Sequence, residues 1–71
     1  MVDINELKAE YIRKGYTKEE FAKAVDISTR TLSNRFKKRI FGSDEIEKIC
    51  EVLEIDSSEK RERIFFAKIV T

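Results

Sequence analysis

The sequence predicts a small all-α domain of five short helices around one core, and three observations carry that expectation. Apolar residues recur at helical spacing in five stretches, and the last four stretches open on residues able to cap a helix N-terminus. There is no proline and there are only two glycines, too few turn formers for a chain of many short strands. Apolar and charged residues each make up 41% of the composition, which is too apolar for a disordered tail. A chain of 71 residues forms a single domain, residues 1–71, whose core buries only ~60% of the surface an unfolded chain exposes.

Each element follows from local chemistry. Ile4, Leu7, Tyr11 and Ile12 share helical spacing, and Gly15 supplies a left-handed stop, giving a first helix over roughly residues 4 to 14. Thr17 and Glu20 form a capping box that opens a second helix, with Phe21, Ala22 and Val25 on one face and an end near residue 25. Asp26-Ile27-Ser28 then breaks the pattern. Asp26 tolerates the left-handed conformation, Ile27 plugs inward and Ser28 caps a new helix, so the break is a tight corner between two short helices. The third helix, from 29 to about 36 or slightly beyond, buries only Leu32 and Phe36 and leaves most of its surface free.

Ser43 is the expected cap of a fourth helix, where Asp44 and Glu45 suit the positive end of the dipole and Ile46, Ile49, Cys50 and Leu53 form a core stripe. Asp56-Ser57-Ser58-Glu59 offers another capping box and opens a fifth helix carrying Ile64, Phe65, Phe66, Ala67, Ile69 and Val70, more apolar surface than one packing face needs. Adjacent aromatics on a helix point in different directions, so one of Phe65 and Phe66 can enter the core while the other stays exposed. Both are candidates for a dimer contact.

Charge is distributed unevenly although the net is only +1. Residues 28–41 carry five bases (Arg30, Arg35, Lys37, Lys38, Arg39) and no acid, whereas residues 42–59 carry seven acids and one base. A positive face is therefore expected on a nearly neutral molecule. The single cysteine, Cys50, sits in an apolar stripe as a core residue, and without histidine there is no ligand set for a metal. No cofactor and no small-molecule ligand are expected. No nucleophile stands beside a base, no glycine-rich loop could cradle a phosphate, and no paired carboxylates have reason to share a cleft, so enzyme chemistry has no support. The absence of an apolar run near ~18 residues argues against a membrane span, and a reducing cytoplasm is the expected setting.

Two short helices meeting at a tight corner, the second polar outside and flanked by cations, make a shape that fits a major groove. In the window from Lys18 to Lys37, Ala22 is the small residue for close approach, Phe21, Val25, Ile27 and Leu32 are the apolar plugs, and Thr29, Arg30, Ser33 and Asn34 are the outward polar residues. This order resembles the helix-turn-helix of phage repressors and Cro proteins, the Xre or lambda-repressor-like family. The chain departs from that pattern in having Asp26 where the family has Gly, Arg35 where it has an apolar residue, and Phe36 followed by Lys37-Lys38-Arg39 in place of an acidic residue and an Asn-Gly turn.

The resemblance implies a lambda-repressor-like fold of five helices, in which the second and third read double-stranded DNA, and a transcriptional regulator of phage or prophage type acting as a homodimer. It implies base reading by Thr29, Arg30, Ser33 and Asn34. Phosphate contacts are implied for Lys18 and Ser28, with Arg35, Lys37, Lys38 and Arg39 as further cationic candidates. A competing expectation keeps the fold but makes it a protein-interaction module, antirepressor- or antitoxin-like, that uses the acidic fourth helix or the fifth.

Overall fold

A computed structural model of the chain describes residues 1–66. These form five helices and no strand: α1 (Ile4–Arg13), α2 (Lys18–Ala24), α3 (Thr29–Lys38), α4 (Ser43–Val52) and α5 (Ser58–Phe65). The Cα radius of gyration is 11.3 Å. A compact chain of this length should have about 11 Å, so the short helices pack as one body. Ala67, Ile69 and Val70, assigned above to the fifth helix, lie outside the described residues.

Three of the helix ends share one solution. The α1, α2 and α4 helices each continue through one more residue (Lys14, Val25, Leu53) into a left-handed residue, Gly15, Asp26 and Glu54, at φ of 87°, 64° and 55°. The next amide then reaches back to the last turn: Tyr16 N–H to the Tyr11 carbonyl (2.9 Å), Ile27 N–H to Ala22 (3.0 Å) and Ile55 N–H to Cys50 (2.8 Å). This is the Schellman arrangement, in which an apolar residue after the left-handed position packs back onto the helix. Tyr16 and Ile27 pack against the core and Ile55 is buried in it. The corner at Asp26 is thus a helix stop that is also a core contact.

Helix starts follow the sequence with two corrections. The box expected over Asp56 to Glu59 does not form, since α5 is capped by Ser57 and the residue three on from it is Lys60, not an acid. Asp3, Thr17, Ser28 and Ser57 each accept a hydrogen bond from the backbone three residues on, and Glu20 closes the box by accepting from Thr17 N–H. For α4 the cap is Gly42 and not Ser43, which is the first helical residue. Glu45 decides the register, because its carboxylate accepts from Gly42 N–H at 2.8 Å and stands three residues after Gly42.

One cluster holds the core. Tyr11 of α1 stacks on Phe21 of α2 at 4.7 Å between centroids and lies parallel to Phe36 of α3 at 6.4 Å, and Phe36 meets Phe41 edge-on at 6.2 Å. These rings tie α3 to α1, α2 and the segment before α4, while Leu7, Leu32, Ile49, Leu53 and Ile64 fill the centre. Ile12, expected on the α1 stripe, is 64% exposed because it stands a quarter-turn from Tyr11. Phe65 is 2% exposed and belongs to the core, so of the two candidates for a dimer contact it is Phe66, 57% exposed, that presents its ring to solvent.

The amino-terminal residues are also tied in. Val2 N–H donates to the Arg39 carbonyl and Asp3 N–H to the Ile64 carbonyl, so one short segment joins the end of α3 to the end of α5. No described helix is long and apolar enough to cross a membrane.

Candidate nucleic-acid interface

The α3 helix has a buried edge and a free one. Leu32 and Phe36 face the core, and diametrically opposite stand Arg30, Asn34, Lys37 and Lys38, all exposed, at the i, i+4, i+7, i+8 spacing of a single face. Thr29 and Ser33 flank this face on the Phe36 side and are half-buried. Of the four residues predicted to read bases, Arg30 and Asn34 therefore point directly away from the body, and Thr29 and Ser33 form its shoulder. Among the described residues no ion pair engages Arg30, Lys37, Lys38 or Arg39, so the face keeps its full positive charge.

The predicted phosphate-contacting residues fall into distinct environments. Ser28 accepts from Thr31 N–H at 3.0 Å and donates to the Thr31 hydroxyl at 2.9 Å, which commits its side chain to capping. What α3 offers an anion at that end is its first-turn amides. Arg35 is half-buried and its Nε lies 2.9 Å from a Glu45 carboxylate oxygen, bridging α3 to α4. Its guanidinium is thus engaged inside the chain, unlike those of Arg30 and Arg39. Burial pushes the Glu45 carboxyl up, but the Arg35 hydrogen bond, the Gly42 amide and the Arg35 charge outweigh it and hold it below the ordinary value. Arg39 takes the left-handed conformation that ends α3, at φ 58°.

Lys18, at the start of α2, lies with its Nζ 5.6 Å from the Phe36 ring centroid, and Lys8 of α1 reaches the same ring at 5.5 Å. Both ammonium groups thus stand at cation–π distance from one ring, Lys8 exposed and Lys18 half-buried. Lys8 was not among the residues singled out from the sequence. A usable signal was present: its helical neighbours Ile4, Asn5, Tyr11 and Ile12 include no carboxylate to neutralise it.

Glu10, 3% exposed, was missed as well. It binds Arg13 one turn on and Lys60 of α5 at 3.1 Å. Its spacing to Arg13 is an ordinary surface pattern and gave no hint of burial. Burial raises its pKa, but Lys60 and Arg13 together outweigh that and hold the carboxyl below the usual range.

No curated protein and no solved structure matches the chain. A family model does match, over residues 1–68, and the protein belongs to that family, the proteins of unknown function designated DUF739.

Proposed function

We propose that the chain is a sequence-specific binder of double-stranded DNA, a cytoplasmic transcriptional regulator resembling the phage Cro and repressor proteins. In this reading α2 and α3 act as a lambda-repressor-like helix-turn-helix, and α3 enters the major groove. The observation that carries it is the outward face of α3: Arg30 and Asn34 at its centre, Lys37 and Lys38 at its carboxyl end, all exposed and, among the described residues, without an acidic partner. Arg donates two parallel hydrogen bonds to guanine and Asn pairs with adenine, each worth ~1–3 kcal/mol of discrimination. The lysines add affinity that any sequence can draw on.

A homodimer is part of the proposal. Phe66, Met1 and Ile40 are exposed around an open cleft of about 170 Å³ that Val2, Phe41 and Ile46 floor, giving an apolar surface for a second copy.

Selection of bound duplexes from a random pool tests the reading. Enrichment of two related half-sites about one helical turn apart, with affinity falling steeply as salt rises, is the expected result; a pool that never enriches would refute it. The exposed acidic row Asp44, Glu47 and Glu51 on α4 supports a second reading, an antirepressor- or antitoxin-like module. That protein would ignore duplexes and hold a basic partner, with the complex lost on Glu47→Lys.

A further inference from the structure

Two ammonium groups from separate helices converge on one ring of a third. Distances of 5.5 and 5.6 Å from a single centroid bound the separation of Lys8 Nζ and Lys18 Nζ to about 11 Å. Neither lysine has an ion pair among the described residues. Neither has a carboxylate one helical turn away on its own helix: Lys8 is flanked by Ile4, Asn5, Tyr11 and Ile12, and Lys18 is followed by Phe21 and Ala22. Like charges gathered this way repel, and the ring orients them without neutralising them. An anion lying over the pair is the partner that removes the repulsion.

We propose that Lys8 and Lys18, seated on Phe36, form a phosphate-binding pair that grips the sugar-phosphate backbone of one strand beside α3, with Lys8 as a contact contributed by α1. This rests on the reading of α3 as the groove-entering helix. A strand presents one phosphate per ~3.4 Å of helix axis, so two ammonium groups this close meet neighbouring phosphates of one backbone. The position fits a helix lying in a groove, which has a backbone on each side. The pair sits at Phe36, on the core-facing side of α3, whereas Lys38 and Arg39 lie toward the opposite face and the carboxyl end of the helix. Phe36 therefore has two duties, a core contact below and a platform for the lysine stems above.

The test measures duplex affinity by fluorescence anisotropy, on a selected and on a scrambled duplex, between about 50 and 200 mM potassium chloride. Wild type is compared with Lys8→Gln, Lys18→Gln, the double variant, and Lys8→Arg. Lys23→Gln serves as control, because Lys23 on α2 has Glu19 and Glu20 one turn away. One lost phosphate contact reduces the steepness of log affinity against log salt by about 0.9, which is about eightfold in affinity at 0.1 M salt. Lys8→Gln should show that loss equally on both duplexes, the double variant about twice the change in slope, and Lys8→Arg and Lys23→Gln the wild-type slope. An unchanged slope in Lys8→Gln, with wild type still binding, overturns the pair and leaves the proposed function standing. Failure of wild type to bind any duplex overturns both. Helical circular dichroism of each variant guards against misfolding, and the exposed position of Lys8 makes its substitution compatible with the fold.

Discussion

At the scale of single residues, Asp26 shows how a backbone requirement sets up a site. Left-handed backbone costs an L residue roughly 1–2 kcal/mol, and less for aspartate, whose short side chain can bond locally. The cost is met because the next residue, Ile27, drops onto the core and Ser28 then caps α3. Replacing Asp26 by glycine removes the Cβ conflict, while a β-branched residue maximises it. Asp26→Val should therefore be less stable than Asp26→Gly by at least about 1 kcal/mol in urea unfolding; equal midpoints would mean that the corner is not strained. Arg30 and Lys38 share a face but differ in expected role. Arg30→Ala should weaken binding to a selected duplex by about tenfold or more and hardly affect a scrambled one, since ~1–3 kcal/mol of discrimination is lost. Lys38→Ala should weaken both alike and flatten the salt dependence by about 0.9. Equal losses for Arg30→Ala on the two duplexes would remove it from base reading.

At the scale of helices, the joints are electrostatic where the stripes are thin. Because α3 buries only Leu32 and Phe36 along its length, Arg35 supplies a further tie, to Glu45, which also holds the start of α4. The α1 and α5 helices are joined likewise, through Glu10 and Lys60. Both carboxyls are held below their ordinary 4.5 in the fold. Groups of this kind contribute stability that is fully present above the unfolded pKa and disappears as pH falls through the lower folded value. The urea midpoint should accordingly be level above about pH 5 and drop at more acid pH. Glu45→Gln should start lower at neutral pH and drop less, whereas a parallel decline in both proteins would rule out Glu45 as a source of the acid sensitivity. These joints mark the limit of what sequence patterns convey. Helix number, order and most caps were legible because each depends on residues within one turn, such as Thr17 with Glu20 or Asp26 with Ile27. The cap at Gly42 was misplaced onto Ser43 because a hydroxyl is the stronger local signal and Glu45 settles the register only through its bond to the Gly42 amide. Glu10–Lys60 and Arg35–Glu45 join residues 50 and 10 apart, and no periodicity encodes such a pairing.

At the scale of the molecule, the charge segregation visible in the sequence becomes a geometric one, with a cationic face on α3 that has no ion pair among the described residues and an acidic row on α4. Arg30 and Asn34 were legible as outward residues because a helix with two core residues leaves the opposite face free, whereas Thr29 and Ser33, also expected to face outward, are half-buried. Lys8 was not legible, because its relation to Phe36 exists only once α1, α2 and α3 have packed. The paired phenylalanines gave the same lesson: helical geometry required that they diverge, but only packing chose Phe65 for the core and left Phe66 outside. Phe66, Met1 and Ile40 then surround one cleft, although they come from three distant parts of the chain. Burying the exposed 57% of Phe66 yields roughly 1–2 kcal/mol, and in a two-fold assembly that gain is made twice. Putting a carboxylate at position 66 reverses the sign, because a charge would then be carried into an apolar contact without a partner. Phe66→Asp should thus sediment as a monomer at concentrations where wild type is a dimer, keep its helical circular dichroism, and bind a single half-site more weakly than wild type binds the paired site. Because Arg30 and Asn34 are not among the residues lining this cleft, although Arg39 is, the discrimination between selected and scrambled half-sites should survive the substitution. A Phe66→Asp protein that remains dimeric would move the contact to another surface, and one that loses half-site discrimination would mean that this cleft also supports the placement of α3.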